Sequence, residues 1–206
     1  MSIVFYRAPM STATMTEIVL AELDVPHEVV TVDIQKGDTK KPDYLKINPN
    51  GKVPVIVHDG TVIWESAAIT MYLGELFGVA KGLYPAPGPA RGEVMKWIVW
   101  TNVTLGDAVG RWTRNTMEWL PAEQRNAKAG EVGMADLQNC LRMVDEALEG
   151  KEFLCGKYTL ADAHLNSFLD WLRYMKLDFS AYARLNAWGG RCSARPGYQR
   201  VMAGGK

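Results

Sequence analysis

Two short segments of this chain hold residue types whose spacing could do chemistry. In Asn48-Pro-Asn-Gly-Lys-Val-Pro54, a proline stands at the first turn of an otherwise strand-like run. A trans proline there would spoil the ladder, whereas a cis one would make a tight turn and expose the backbone N–H and C=O of Val53. Those groups could pair with an extended peptide, as a sheet edge accepts an added strand; the plain alternative is a structural turn. In Trp64-Glu-Ser-Ala-Ala68, an acid and a hydroxyl meet a helix N-terminus, where unpaired N–H groups and the macrodipole favour an anion such as a carboxylate. The alternative is an ordinary N-cap with an acidic first turn. A third segment, Thr159-Leu-Ala-Asp162, reads as a capping box in which Thr159 caps a helix and Asp162 reaches back to the cap N–H. Its role is folding, and losing it is expected to cost about 0.5–2 kcal/mol, more if the carboxylate is buried.

Other chemistries lack their residues. No two glycines are separated by a single residue, so no GxGxxG loop exists, and neither GxxxxGK[ST] nor GxSxG occurs. His27, His58 and His164 lie in three different contexts without paired-ligand spacing and read as surface or satisfied core residues. Cys140, Cys155 and Cys192 are odd in number and form no CxxC pair, which argues against a disulfide framework or a structural zinc site. No metal is expected, and the compartment reads as reducing and cytoplasmic.

The elements that must position these residues follow from the hydrophobic period. The 206 residues carry 23 basic and 23 acidic side chains, so net charge offers no attraction for nucleic acid or an anionic membrane. No apolar run approaches the roughly 18–20 residues needed to span a bilayer. Strand-like runs at Ile3–Tyr6, Glu28–Asp33, Val53–Val57 and Val62–Trp64 alternate with helical patterns at Ser11–Leu23 and from Glu65 onward. This β-α-β then β-β-α order predicts a small layered α/β domain over 1–78 with a mixed sheet. A stretch rich in glycine and proline, 79–89, reads as a linker. Beyond it, helical patterns at 90–117, 123–148, 160–175 and 181–192 predict an all-α bundle over 90–206. The fold class is therefore α/β plus all-α.

In this order, with Phe5-Tyr6, Pro9 and Ser11 ahead of them and Gly156–Asp162 and Ala194-Arg-Pro-Gly-Tyr198 behind, the motifs resemble the cytosolic glutathione S-transferase family, of bacterial, theta- or beta-like kind. The resemblance implies a thioredoxin-like N-terminal domain that holds glutathione as co-substrate. It also implies a helical domain that supplies a pocket for a hydrophobic electrophile, and a homodimer. The thiolate-stabilising hydroxyl would be Ser11, with Thr12 and Tyr6 as the other candidates. Main-chain pairing would fall to Val53 beside Pro54, the γ-glutamyl group to Glu65 and Ser66, and the glycine carboxylate to Lys36 or Lys52. Met10, Trp100, Trp112 and Trp119 would line the second pocket. Where the beta class carries a histidine and a glutathione-contacting asparagine on the first long helix, the register gives Gly106 and Val99. With Thr12 at the beta-class cysteine position, thiolate-stabilising conjugation is expected over mixed-disulfide chemistry. Two alternatives are a lyase, ether-cleaving or peroxidase enzyme using the same thiolate, and a non-catalytic binding protein.

Overall fold

Four short strands pair into one mixed sheet in the order β2-β1-β3-β4. In the computed structural model, which describes residues 2–118 and 120–204, these are β1 (Ile3–Arg7), β2 (Glu28–Thr31), β3 (Val55–His58) and β4 (Thr61–Trp64). β1 runs parallel to β2 because helix α1 (Ala13–Leu23) crosses between them; it is antiparallel to β3, and β3 to β4. The β3–β4 turn is built on Asp59 and Gly60, both at positive φ (46° and 84°), the conformation a two-residue hairpin with right-handed twist requires. Phe5, Val55 and Ile56 are buried in the central strands, whereas β2 is an exposed edge. Helix α2 (Pro42–Ile47) precedes β3, and α3 (Ser66–Leu73) follows β4. Sheet and helices together make the layered α/β domain with a mixed sheet that the alternation predicts, in the thioredoxin-like form that the resemblance implies.

The helical part begins at α4 (Pro89–Trp100), which passes through a π-turn at Thr101–Leu105 into α5 (Gly106–Thr116). The single helix expected over 90–117 is thus one rod with a widened turn near its middle. It is followed by α6 (Ala127–Ala147), α7 (Leu160–Tyr174), α8 (Ala183–Ser193) and α9 (Pro196–Met202). Helix α6 starts later than its apolar period suggests, because Asn126 caps it by accepting from the Ala129 N–H at 3.1 Å. Helices α5 and α6 touch backbone to backbone at Gly133, where a Cβ would stand 2.4 Å from the Trp112 nitrogen.

Helix α1 is the shared wall of the molecule. Ile18, Val19, Leu20 and Leu23 are fully buried, and the helix packs on α3, α7 and α9. The segment around Arg195 fastens this junction: Arg195 donates to Glu22 at 2.7 Å and lies 3.7 Å over the Tyr158 ring, while Gly197 leaves room for the Glu22 carboxylate. The stretch between α3 and α4 is pinned too. Tyr84 is buried against Gly74 and Gly78, and the Leu83 carbonyl accepts from Leu160 N–H at 2.9 Å.

Candidate active site

A cavity of about 950 Å³ lies between the loops of the sheet domain and helices α5, α7 and α9. Three chain turns form its sheet-domain wall: Met10–Thr12 before α1, Lys52–Pro54 before β3, and Glu65–Ser66 at the start of α3. In the first, Ser11 donates its hydroxyl proton to the Ala8 carbonyl at 2.7 Å and accepts from the Ala13 N–H at 3.2 Å. Thr12 donates to the Val53 carbonyl over a longer 3.3 Å. The N–H groups of Ser11 and Thr12 have no partner among the described residues, so the positive end of α1 faces the cavity with open donors.

The second turn is held rigid from behind. The Lys52 carbonyl accepts from Asn48 Nδ2 at 2.8 Å and from the Tyr44 hydroxyl at 2.7 Å, and Asn48 Oδ1 accepts from Asn50 N–H at 3.0 Å. The Val53–Pro54 peptide is cis, and the Val53 N–H has no partner among the described residues. An unpaired N–H beside a carbonyl is what an extended peptide can pair with.

At the third turn, Glu65 sits at φ 70°, a left-handed conformation that a residue with a side chain adopts at a cost of about 1–3 kcal/mol. Behind it runs a chain of hydrogen bonds through both domains. Asn102 Nδ2 donates to Ser66 Oγ at 2.8 Å, Asn102 Oδ1 meets His164 Nε2 at 2.7 Å, and His164 Nδ1 meets Thr70 Oγ1 at 2.9 Å. The Asn102 amide fixes the direction. Its oxygen accepts from His164 Nε2–H, leaving Nδ1 to accept from the Thr70 hydroxyl, and the Ser66 hydroxyl proton is left for the cavity.

Complete burial pushes the His164 imidazole down from 6.5 to about 3, so it is neutral in the folded protein. Unfolding restores the ordinary value. Stability is therefore full above pH 6.5 and is lost as pH falls toward 3, because the unfolded chain takes up a proton that the folded one refuses. Between pH 7.5 and pH 5 this costs about 2 kcal/mol, which urea unfolding at the two pH values should register. His164→Gln should flatten the difference, and an unchanged difference would assign it to other groups.

The cavity gathers Met10, Ser11, Thr12, Lys52, Val53, Pro54, Glu65 and Ser66. Other residues singled out in the sequence lie elsewhere. Tyr6 turns toward Tyr44, with ring centroids 6.1 Å apart, and does not line the cavity. Lys36 projects from an exposed loop and pairs with Asp33 at 3.3 Å. Trp100 stacks edge-on against Trp97 and Trp112 is buried, and neither lines the cavity, because its α5 face runs through Gly106, Val109, Gly110 and Thr113. Trp119 lies outside the described residues. The sequence register also misplaces the asparagine: Val99 is exposed on the outer face, and the asparagine at the cavity is Asn102. The aromatic wall comes instead from α7, with Phe168, Trp171 and Tyr174, and Met175 follows just past its end. Nothing in the sequence short of the α7 register separates these from core residues.

A thioredoxin-like domain docked on a helical bundle thus brings onto one cavity a turn with an unpaired backbone N–H, two helix starts and an apolar wall. Residues 1–75 match the family description "Glutathione S-transferase, N-terminal domain" and residues 113–196 match "Glutathione S-transferase, C-terminal domain". Glutathione S-transferase GstA of Escherichia coli O157:H7 is 28% identical over 97% of this chain and 96% of its own. The crystal structure of a glutathione transferase from Methylococcus capsulatus is 30% identical with a TM-score of 0.86, covering 98% of this chain and 97% of that one. The glutathione transferase URE2P8 of Phanerochaete chrysosporium, crystallised with oxidised glutathione, is 25% identical with a TM-score of 0.87, covering 98% and 93%. This chain belongs to the glutathione S-transferase family.

Proposed function

We propose that the protein is a glutathione transferase that stabilises the thiolate of glutathione at the start of α1 and presents it to an apolar electrophile in the same cavity. The observation that carries this reading is the convergence of three kinds of group on one cavity: open N–H donors at α1, the Val53 peptide edge, and the Ser66 hydroxyl at the start of α3. Glutathione supplies the sulfur nucleophile. Val53 pairs with its cysteinyl backbone, Ser66 and Glu65 hold the γ-glutamyl carboxylate and amine, and Lys52 takes the glycine carboxylate. Ser11 is the assigned donor to sulfur. To act, its hydroxyl swings from the Ala8 carbonyl, while the Ser11 and Thr12 N–H groups and the α1 dipole already favour an anion.

The test is a glutathione titration near neutral pH, read by ultraviolet difference spectroscopy. A saturable thiolate band is expected. Ser11→Ala should weaken it by raising the thiol pKa by about one to two units, the worth of one hydrogen bond to a charged group, with Thr12→Ala and Tyr6→Phe close to wild type. A loss confined to Thr12→Ala would move the role one residue along. Saturable binding without a thiolate band would sink the catalytic reading in favour of a binding protein, which the engaged Ser11 hydroxyl would then explain.

A homodimer fits the exposed apolar stripe of Met95, Val99 and Val103 along α4 and the π-turn, with Met143 beside it on α6. The three cysteines are unpaired thiols, which suits a reducing cytoplasm. Among the described residues no helix is long and apolar enough to cross a membrane.

A further inference from the structure

Helix α5 carries glycines at 106 and 110 on its cavity face, where alanine would favour the helix by about 1 kcal/mol each. Arg114 lies against Gly110. A Cβ there would stand 3.2 Å from the Arg114 Nη2, so the guanidinium lies back across Gly110, one turn toward the start of the helix. That is the direction of Gly106 and of Asn102, which reaches Ser66. Arg114 lines the cavity and makes no ion pair or hydrogen bond among the described residues.

The other charged groups on the cavity wall are placed differently. Asp170 on α7 is already saturated: it accepts from Arg173 at 2.5 Å, from Asn166 at 3.1 Å and from the Tyr198 hydroxyl. Lys52 and Glu65 stand on the sheet-domain wall, at the turns that would hold a peptide. The helical wall therefore combines an apolar surface, Phe168, Trp171, Tyr174 and Met175, with one guanidinium whose donors are uncommitted.

We propose that Arg114 makes this cavity selective for second substrates that carry a carboxylate or sulfonate on an aromatic body. The proposal deepens the transferase reading and rests on it for the word substrate, although the binding it describes requires no turnover. An aromatic body covers the α7 wall, while the planar fork of Arg114 donates to the anionic group in bidentate fashion. Gly110 gives the guanidinium a flat place to lie, since a Cβ there would stand 3.2 Å from its Nη2 and lift it by a few tenths of an ångström.

A pair of fluorescent probes isolates the charge: 8-anilino-1-naphthalenesulfonate and N-phenyl-1-naphthylamine share their rings and differ by the sulfonate. Arg114→Met should weaken binding of the sulfonate about 5- to 20-fold, as expected for loss of a partly solvated charge-assisted hydrogen bond, and leave the neutral probe within about twofold. Arg114→Lys should fall between, keeping the charge and losing the fork. Equal shifts for both probes, or no shift for either, would overturn the proposal. Its fate is separable from that of the transferase reading. Selective loss of the sulfonate in a protein without a thiolate band would leave the anion subsite standing, and a thiolate band with indifferent probes would do the reverse.

Discussion

Asp162→Ala is expected to lower stability by about 4 kcal/mol, which in a chain of this size is roughly 8–16 °C in Tm. The carboxylate is wholly buried and accepts four hydrogen bonds: Leu154 N–H and Trp188 Nε1–H on Oδ1 at 2.9 Å each, Thr159 N–H at 2.9 Å and the Thr159 hydroxyl at 3.0 Å on Oδ2. Burial raises its pKa above 3.8, and the four donors pull it back. Removing the side chain strands buried N–H groups from three parts of the helical domain, each costing about 1–3 kcal/mol unless water reaches it. Asp162→Asn keeps one carbonyl oxygen and should cost about half as much, so the effect stays measurable if the alanine variant does not fold. Chemical unfolding of both decides the matter. A loss below about 1 kcal/mol in the alanine variant would show that water replaces the carboxylate.

The second large effect is expected on glutathione binding. Ser66→Ala should weaken it about 10- to 100-fold, the worth of a hydrogen bond to a carboxylate. Asn102→Ala should cost about tenfold through Ser66, because Asn102 Nδ2 occupies one lone pair of Ser66 and leaves its proton free to point at the cavity. Such a loss would make Asn102 a positioning residue. The double variant should cost less than the product of the two, since the residues act as a unit. Calorimetric titration of glutathione into the four proteins measures this coupling. Independent effects that multiply would show that Asn102 does not work through Ser66.

The sheet domain was legible because its strands are short, β-branched and bounded by turn residues, and because a hydrogen-bonded βαβ unit can be closed in few ways. The same period could not show α2 or α9, which at six and seven residues are shorter than two helical turns. On the site, the turns at Val53 and Ser66 were readable because their chemistry is carried by the backbone and by small polar residues at helix starts. Asn102, His164 and Thr70 were not readable, since they come from three helices and meet only after the two domains dock. His164 read as a satisfied core residue, and it is one, with both ring nitrogens partnered. Tryptophans misled for a physical reason: Trp112 is buried away from the cavity, and the cavity face of α5 is kept small by Gly106 and Gly110. Asp162 read as a cap, but Leu154 and Trp188 lie too far along the chain for a capping pattern to reveal them.

The π-turn at Thr101–Leu105 divides one continuous rod into two stretches with different duties. Asn102, inside the turn, serves the sheet domain, and the residues from Gly106 onward face the open cavity. An extra residue in a helix rotates all that follows by about 100°. Restoring a regular helix by deleting one residue would therefore swing the Gly106–Gly110 face out of the cavity while Asn102 kept its place. Substitutions beyond the turn, by contrast, should leave the Asn102–Ser66 hydrogen bond in place. On the proposed transferase reading, a lineage built on this rod would retune what it accepts on one side through a few point changes and inherit the other side unaltered.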